Sequence, residues 1–247
     1  MVIRAMALVL ATLVGTSVQA AEISILSAGA PEPGVHAVIE LFKAKGNTAT
    51  VRYATAPAIR KIISENGGAN IVVAPPAVIK EVSEAGKVDG KAQVLVGKVG
   101  VGITVRQGAP VPDVSTVDKM KAALLAAETV VYNQASTGNY LQELFKRLGI
   151  AEQLAPKTKR YPDGDGVMAH IIKGSGTEIG LGAITEINQY TSKGLRFVGP
   201  LPSDVQNYTS YVAAPMTGAN HSADSAKFLE LLATPEARKA LLTAGIE

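Results

Sequence analysis

Cysteine and tryptophan are both absent from the 247 residues, and other aromatics are sparse, at seven Tyr and four Phe. Without cysteine there can be no disulfide framework, thiolate metal site or thiol nucleophile, and no thiol to carry a lipid anchor. So few aromatic rings leave no flat stacking surface for sugars and no platform for single-stranded nucleic acid. Basic residues are dispersed along the chain; without Arg4 the balance is 23 basic to 21 acidic. That charge is too small and too evenly spread for a nucleic-acid footprint. The three histidines, His36, His170 and His221, match no metal spacing, and no Ser, His and acid pattern points to nucleophilic catalysis. Neither a metal nor a cofactor is expected. Beyond the first 20 residues no apolar run approaches the length that spans a bilayer, so no membrane anchor is expected in the mature chain.

What is present begins with MVIRAMALVLATLVGTSVQA. A short basic region around Arg4 leads into an apolar run from Ala5 to Gly15, and Val18 and Ala20 suit a small-residue cleavage site. Residues 1–20 are therefore expected to be a signal peptide cut after Ala20, which makes the mature protein exported and, lacking a lipid-attachment cysteine, free in the periplasm. At this length one core is near the size where it splits, so two compact lobes are expected, in a monomer.

The remaining chain alternates short apolar strands with amphipathic helices. Ile23 to Leu26 reads as a strand and is followed by a helix with Val35, Val38, Ile39 and Phe42 on one face, closed by Gly46. Two further units follow, with strands at 51–54 and 71–74. This βαβ rhythm predicts parallel strands covered by helices. Residues 93–108 form a longer β-rich stretch broken by Gly97, Gly100 and Gly102, where the chain is expected to cross into a second lobe. There a strand at 129–133 leads into a helix from 136, then a turn, a helix at 167–174, a strand at 178–184, a helix and a strand at 195–200. A second β-rich stretch at 208–216 brings the chain back, and helices starting near Ser222 and Pro235 close it. The fold class is α/β: two Rossmann-like lobes with mixed β-sheets, joined by two strands that act as a hinge near 97–106 and 205–213. Lobe I takes 21–100 and 212–247, lobe II 101–211.

Ligands in such sheets bind beyond the carboxyl ends of strands, where helix N-termini converge. Four strand-to-helix turns are alike in being rich in Gly, Ala, Ser, Thr or Pro, namely LSAGAPEPG (26–34), YATAPA (53–58), NQASTGN (133–139) and PDGDGV (162–167). Their small residues let backbone N–H groups approach a ligand, and each helix start carries partial positive charge, so together they can bind an anion without Lys or Arg. The hydroxyls of Ser27, Thr55, Ser136 and Thr137 are candidate extra donors, although Ser and Thr in such places are also ordinary helix caps. Asp163 and Asp165 have calcium-loop spacing, but Val167 and Gly174 stand where that loop needs ligands, so a tight turn is expected. Arg60 is expected at the surface.

The stretches from ISILSAGAPEPG to ANIVVAPP, then ASTGNYLQELFKRLG and IGLGAITEI, resemble the periplasmic molybdate-binding proteins and their relatives among the solute-binding proteins of ABC importers. The resemblance spans the mature chain. It implies a type II periplasmic binding protein whose two lobes close over a ligand and present it to an ABC permease in the inner membrane. It also implies an oxyanion held by neutral donors. The family's first-turn serine falls on Ala30, its second-turn serine on Thr55 or Ala56, and its third-turn amide on Thr137. The fourth-turn contact falls near Asp165 or Gly166, and the family's tyrosine falls on Ala183. Ala30 and Ala183 thus remove two hydroxyl donors, each worth about 1.5–3 kcal/mol to an anion. The ligand expected is a small anion other than molybdate, an oxyanion or a small organic acid. An exported enzyme drawing on Asp163, Asp165, Arg60 or His36, and a sensory module on the same fold, are the rival expectations.

Overall fold

The computed structural model describes residues 22–220 and 222–247. The signal-peptide expectation on residues 1–20, and His221, lie outside the described residues. Along the chain run β1 (Glu22–Ala28), α1 (Glu32–Ala44), β2 (Thr48–Ala54), α2 (Ala56–Ser64), β3 (Ile71–Ala74), α3 (Pro76–Glu84) and the long β4 (Val94–Arg106). Next come α4 (Val117–Ala126), β5 (Thr129–Asn133), α5 (Ser136–Arg147), α6 (Ala151–Leu154), β6 (Thr158–Tyr161), α7 (Gly164–Lys173) and β7 (Glu178–Ala183). The chain ends with α8 (Ile184–Gln189), β8 (Leu195–Pro200), β9 (Tyr208–Pro215), α9 (Ser225–Leu232) and α10 (Pro235–Thr243).

The strands form a continuous, mixed sheet in the order β2-β1-β3-β9-β4-β7-β5-β6, with β8 also paired to β4. β1 runs parallel to β2 and β3, and β5 parallel to β6 and β7, as the βαβ rhythm requires. β4 and β9 are the antiparallel exceptions. From Val94 to Gly100, β4 pairs with β9; from Val101 onward it pairs with β7 and β8. One strand thus belongs to both halves of the sheet.

Each half has its own buried apolar set. The first gathers Ile23, Ile25 and Leu26 of β1, all of β3, and Val35, Val38, Ile39 and Phe42 of α1, with Phe228 packed edge-on against Phe42 at 5.4 Å. The second gathers Val101, Ile103 and Val105 of β4 with Leu141, Leu144 and Phe145 of α5, and a smaller cluster lies under α7 and α8. Residues after β9 return to the first half, where α10 packs on α1 and Glu247 pairs with Lys98 of β4 through two backbone bonds. That pairing sits at the β4 irregularity beside Gly97, whose φ of +144° and close approach to Ile246 leave no room for a side chain.

The expected elements are found with differences at several places: β2 starts at Thr48 and not at 51, α7 starts at Gly164 and not at 167, and α6 follows α5 where no helix is expected. Between the helix from 136 and the helix at 167, where the rhythm names only a turn, the chain forms β6, a short edge strand whose Lys159 and Arg160 hide its β character, charge being common on exposed edges. The helix expected near Ser222 starts at Ser225, after the Asp224 N-cap. The strand expected to end at Ile184 ends at Ala183, because Ile184 opens α8.

Candidate functional site

A cleft of about 140 Å³ lies between the halves, at the carboxyl ends of β1, β2, β5 and β7. All four turns singled out in the sequence reach it. The first contributes Ala28, Gly29, Ala30 and Glu32, and the second Tyr53, Thr55 and Ala56. From the other half come Asn133, Ala135, Ser136 and Thr137, then Asp163, Gly164 and Asp165; Glu186 and Gln189 of α8 and Tyr211 of β9 complete the lining. Among the described residues no lining residue is Lys, Arg or His.

One wall is built from helix starts. α2 opens at Ala56 after Thr55, which sits in extended conformation and makes no side-chain cap bond; Pro57 presets the first turn. α5 opens after Ala135, also without a side-chain cap bond of its own. Its cap comes from the strand end instead: Asn133 Oδ1 accepts the Ala135 N–H at 3.1 Å and the Gly138 N–H at 3.0 Å. This arrangement brings Gly138 so close that a Cβ there would meet the Asn133 carbonyl oxygen at 1.7 Å. The Ser136 and Thr137 amides thereby border the cleft at a helix start, opposite the start of α2, and both helix ends favour negative charge between them.

The other wall is acidic, with Glu32, Asp163, Asp165 and Glu186. Three of these carboxyl groups leave no buried oxygen without a partner among the described residues. Asp163 caps α7 by accepting the Gly166 N–H at 2.9 Å, Asp165 accepts the Tyr190 hydroxyl at 2.8 Å, and Glu32 bonds the Gln189 side chain. Tyr190 is pushed up to about 12, by burial first and then by the Asp165 carboxylate it bonds. Glu186 differs. Its carboxyl takes the Ala183 N–H, the return half of a capping box on α8, but its Oε2 is fully buried with no hydrogen-bond partner among the described residues. Burial, and next the Asp165 charge, push Glu186 up to about 7. The Glu186 carboxyl packs against Gly29 and Gly164, and a Cβ on Gly164 would meet it at 2.4 Å. A cross-cleft bond lies beside it: Thr185 Oγ1 donates to the Ala30 carbonyl at 2.5 Å, tying α8 to the first turn.

Of the residues singled out in the sequence, Ala30, Thr55, Ala56, Ser136, Thr137 and Asp165 line the cleft together. Ser27, Gly166 and Ala183 do not. Ser27 is buried within β1 and its hydroxyl donates to the Ala28 carbonyl at 2.9 Å; the Gly166 N–H is taken by Asp163; Ala183 is buried at the N-cap of α8. Arg60 pairs with Glu81 at 2.6 Å on the surface, and His170 bonds Tyr161 outside the cleft. Sequence reasoning missed Glu186, Gln189, Asn133, Tyr53 and Tyr211. Tyr53 and Asn133 stand inside the quoted turns, whereas Glu186 follows an Ala N-cap, so the Ser/Thr that would flag a capping box is missing.

Comparison with known proteins gives a consistent picture. The family model for bacterial extracellular solute-binding proteins matches residues 23–247. An aconitate isomerase from Pseudomonas sp. is 28% identical over 194 residues, which is 78% of this chain and 72% of that protein. In fold, the periplasmic molybdate-binding protein of Azotobacter vinelandii superposes with a TM-score of 0.75 at 13% identity, over 91% of this chain and 98% of that one. The sulfate-binding protein of Mycobacterium tuberculosis superposes with a TM-score of 0.74 at 18% identity, over 92% of this chain and 86% of that one.

Proposed function

The chain belongs to the bacterial extracellular solute-binding proteins, and on that premise we propose that it is a periplasmic receptor that encloses a small organic acid and delivers it to an ABC permease. The observation that carries this reading is the pair of helix starts, α2 and α5, facing one cleft from opposite halves with no Lys or Arg between them. Neutral N–H groups with helix dipoles behind them hold a carboxylate well and release it without breaking an ion pair. The acidic wall opposite disfavours a compact inorganic oxyanion, which presents negative charge on every side. An organic acid can turn its carboxylate to the helix starts and a less charged end toward Asp165 and Glu186.

The two lobes, 21–100 with 212–247 and 101–211, would open and close about β4 near Gly100 and about the chain that leads into β9, where it crosses back. Thermal shift against molybdate, sulfate, phosphate, malate, citrate and both aconitate isomers tests the reading. An acid at a hundredfold excess over its Kd adds about 2.7 kcal/mol, a rise of about 5–10 °C for a chain of this size. A shift with the organic acids and none with molybdate or sulfate is expected; no shift with any of them defeats the reading.

A second reading, an enzyme isomerising a small unsaturated acid, is favoured by Glu186, a buried carboxyl titrating near 7 in the same cleft, together with the likeness to an aconitate isomerase. A group poised there suits general acid–base proton transfer. Proton NMR of cis- and trans-aconitate incubated with the protein decides between them: interconversion that disappears in Glu186→Gln replaces the receptor reading, and an unchanged spectrum removes the enzyme.

A further inference from the structure

Four carboxyl groups line the cleft, and three of them leave no buried oxygen without a partner among the described residues. Asp163 is a helix cap, Asp165 holds the Tyr190 hydroxyl, and Glu32 bonds Gln189, with His36 and Lys193 nearby. Only Glu186 keeps an oxygen, Oε2, buried and unpartnered within the cleft lining. A buried polar atom left in that state costs on the order of 1–3 kcal/mol, so its retention calls for a partner that the protein does not supply.

The groups facing Glu186 decide whether that atom accepts or donates. From the start of α7 come its cap Asp163 and Asp165, from α1 Glu32, and from β9 the Tyr211 hydroxyl; its own helix start supplies the Ala183 N–H. On the far side of α8, Gly102 of β4 abuts Ile184, Ile187 and Phe197 and brings no charge. No cation is among the groups acting on it. Surrounded by acids and lacking a cation, this carboxyl is held toward its protonated form, in which its unpartnered oxygen is the donor that a second anionic oxygen requires.

Resting on the organic-acid reading above, we propose that Glu186 donates its carboxylic proton to a second oxygen of the bound acid. The helix starts of α2 and α5 hold the ligand's first carboxylate. The proton stays on or near Glu186 throughout, so no bond to the ligand is made or broken. The site would therefore read a diacid or keto acid, a molecule with two acceptor ends, and would lose it when Glu186 ionises.

Two measurements test this on the mature protein. A carbon-13 NMR titration of the Glu186 carboxyl, assigned by its loss in Glu186→Gln, needs no ligand: a midpoint near neutral pH is expected, and one in the ordinary carboxylate range overturns the proposal. Calorimetric titration with trans-aconitate, citrate and malate between pH 6.5 and 8.5 follows. For whichever of these binds, affinity in the native chain should fall about 25-fold across that interval, as the protonated fraction falls. In Glu186→Gln, whose amide donates at every pH, affinity should hold level. Binding with no pH dependence in the native chain overturns the proposal and leaves the receptor reading standing. A Glu186 that titrates near neutral pH with none of the acids bound at millimolar concentration defeats both.

Discussion

At the scale of single residues, chemistry is decided by what each carboxyl group already touches. Asp165, which the family resemblance puts at the fourth turn, would repel an anion if it stood free; the Tyr190 hydroxyl bonded to it spreads that charge. Glu186 carries the opposite consequence. Its pKa stands near 7 in the fold and about 4.5 in the unfolded chain, so between those values the folded state holds a proton that the unfolded state has lost. Stability from this group is fully present below pH 4.5 and is lost as pH rises to about 7, at a cost on the order of 3 kcal/mol. Glu186→Gln should remove that loss, and denaturant midpoints at pH 5 and pH 8 would show it as a smaller difference between the two. Gly138 supplies a steric case. With the Asn133 carbonyl at 1.7 Å from any added Cβ, Gly138→Ala must push α5 off the end of β5, and a stability loss above the usual ~1–3 kcal/mol for overpacking is expected in a urea titration.

Among the elements, the site depends on where helices begin rather than on which side chains they carry. α7 is capped by its own Asp163, and Asp163→Ala should cost about 1 kcal/mol in unfolding free energy. α5 has no such side chain and borrows Asn133 from the strand before it, which frees Ser136 and Thr137 to face the cleft. The surface pair Arg60–Glu81 links α2 to α3 away from that work. With both side chains well exposed it contributes at most about 1 kcal/mol, and Arg60→Ala should leave calorimetric affinity for any bound acid unchanged.

For the whole molecule, the cleft exists because one strand serves two halves. β4 pairs with β9 up to Gly100 and with β7 and β8 beyond it, so the hinge proposed above would change the distance between the turns by rotation about that point. Thr185, on the second side, bonds the Ala30 carbonyl on the first. Thr185→Val keeps the shape of the side chain and removes that tie. The expected result is a larger radius of gyration by small-angle scattering in the absence of ligand, and faster ligand release by stopped flow, with the melting temperature lowered by only a few degrees.

The alternation of apolar strands and amphipathic helices is local, and the sequence alone determined from it the α/β class, the two-part order of the chain and the four turns that meet at the cleft. Hydrophobic period survives in one dimension, which is why β5 and α5 are legible to within a residue and why the charged edge strand β6 is not. Composition likewise excludes thiol chemistry and leaves few rings for a stacking surface. Only the tertiary structure decided which small residues face the ligand: Ala30 and Thr137 line the cleft, whereas Ser27 turns into its own strand and Ala183 lies beneath α8. It alone brought Glu186 beside Asp165, although the two are 21 positions apart in the chain. The acidity of a carboxyl group is set by burial and by neighbouring charge, and neither is written in the order of the residues.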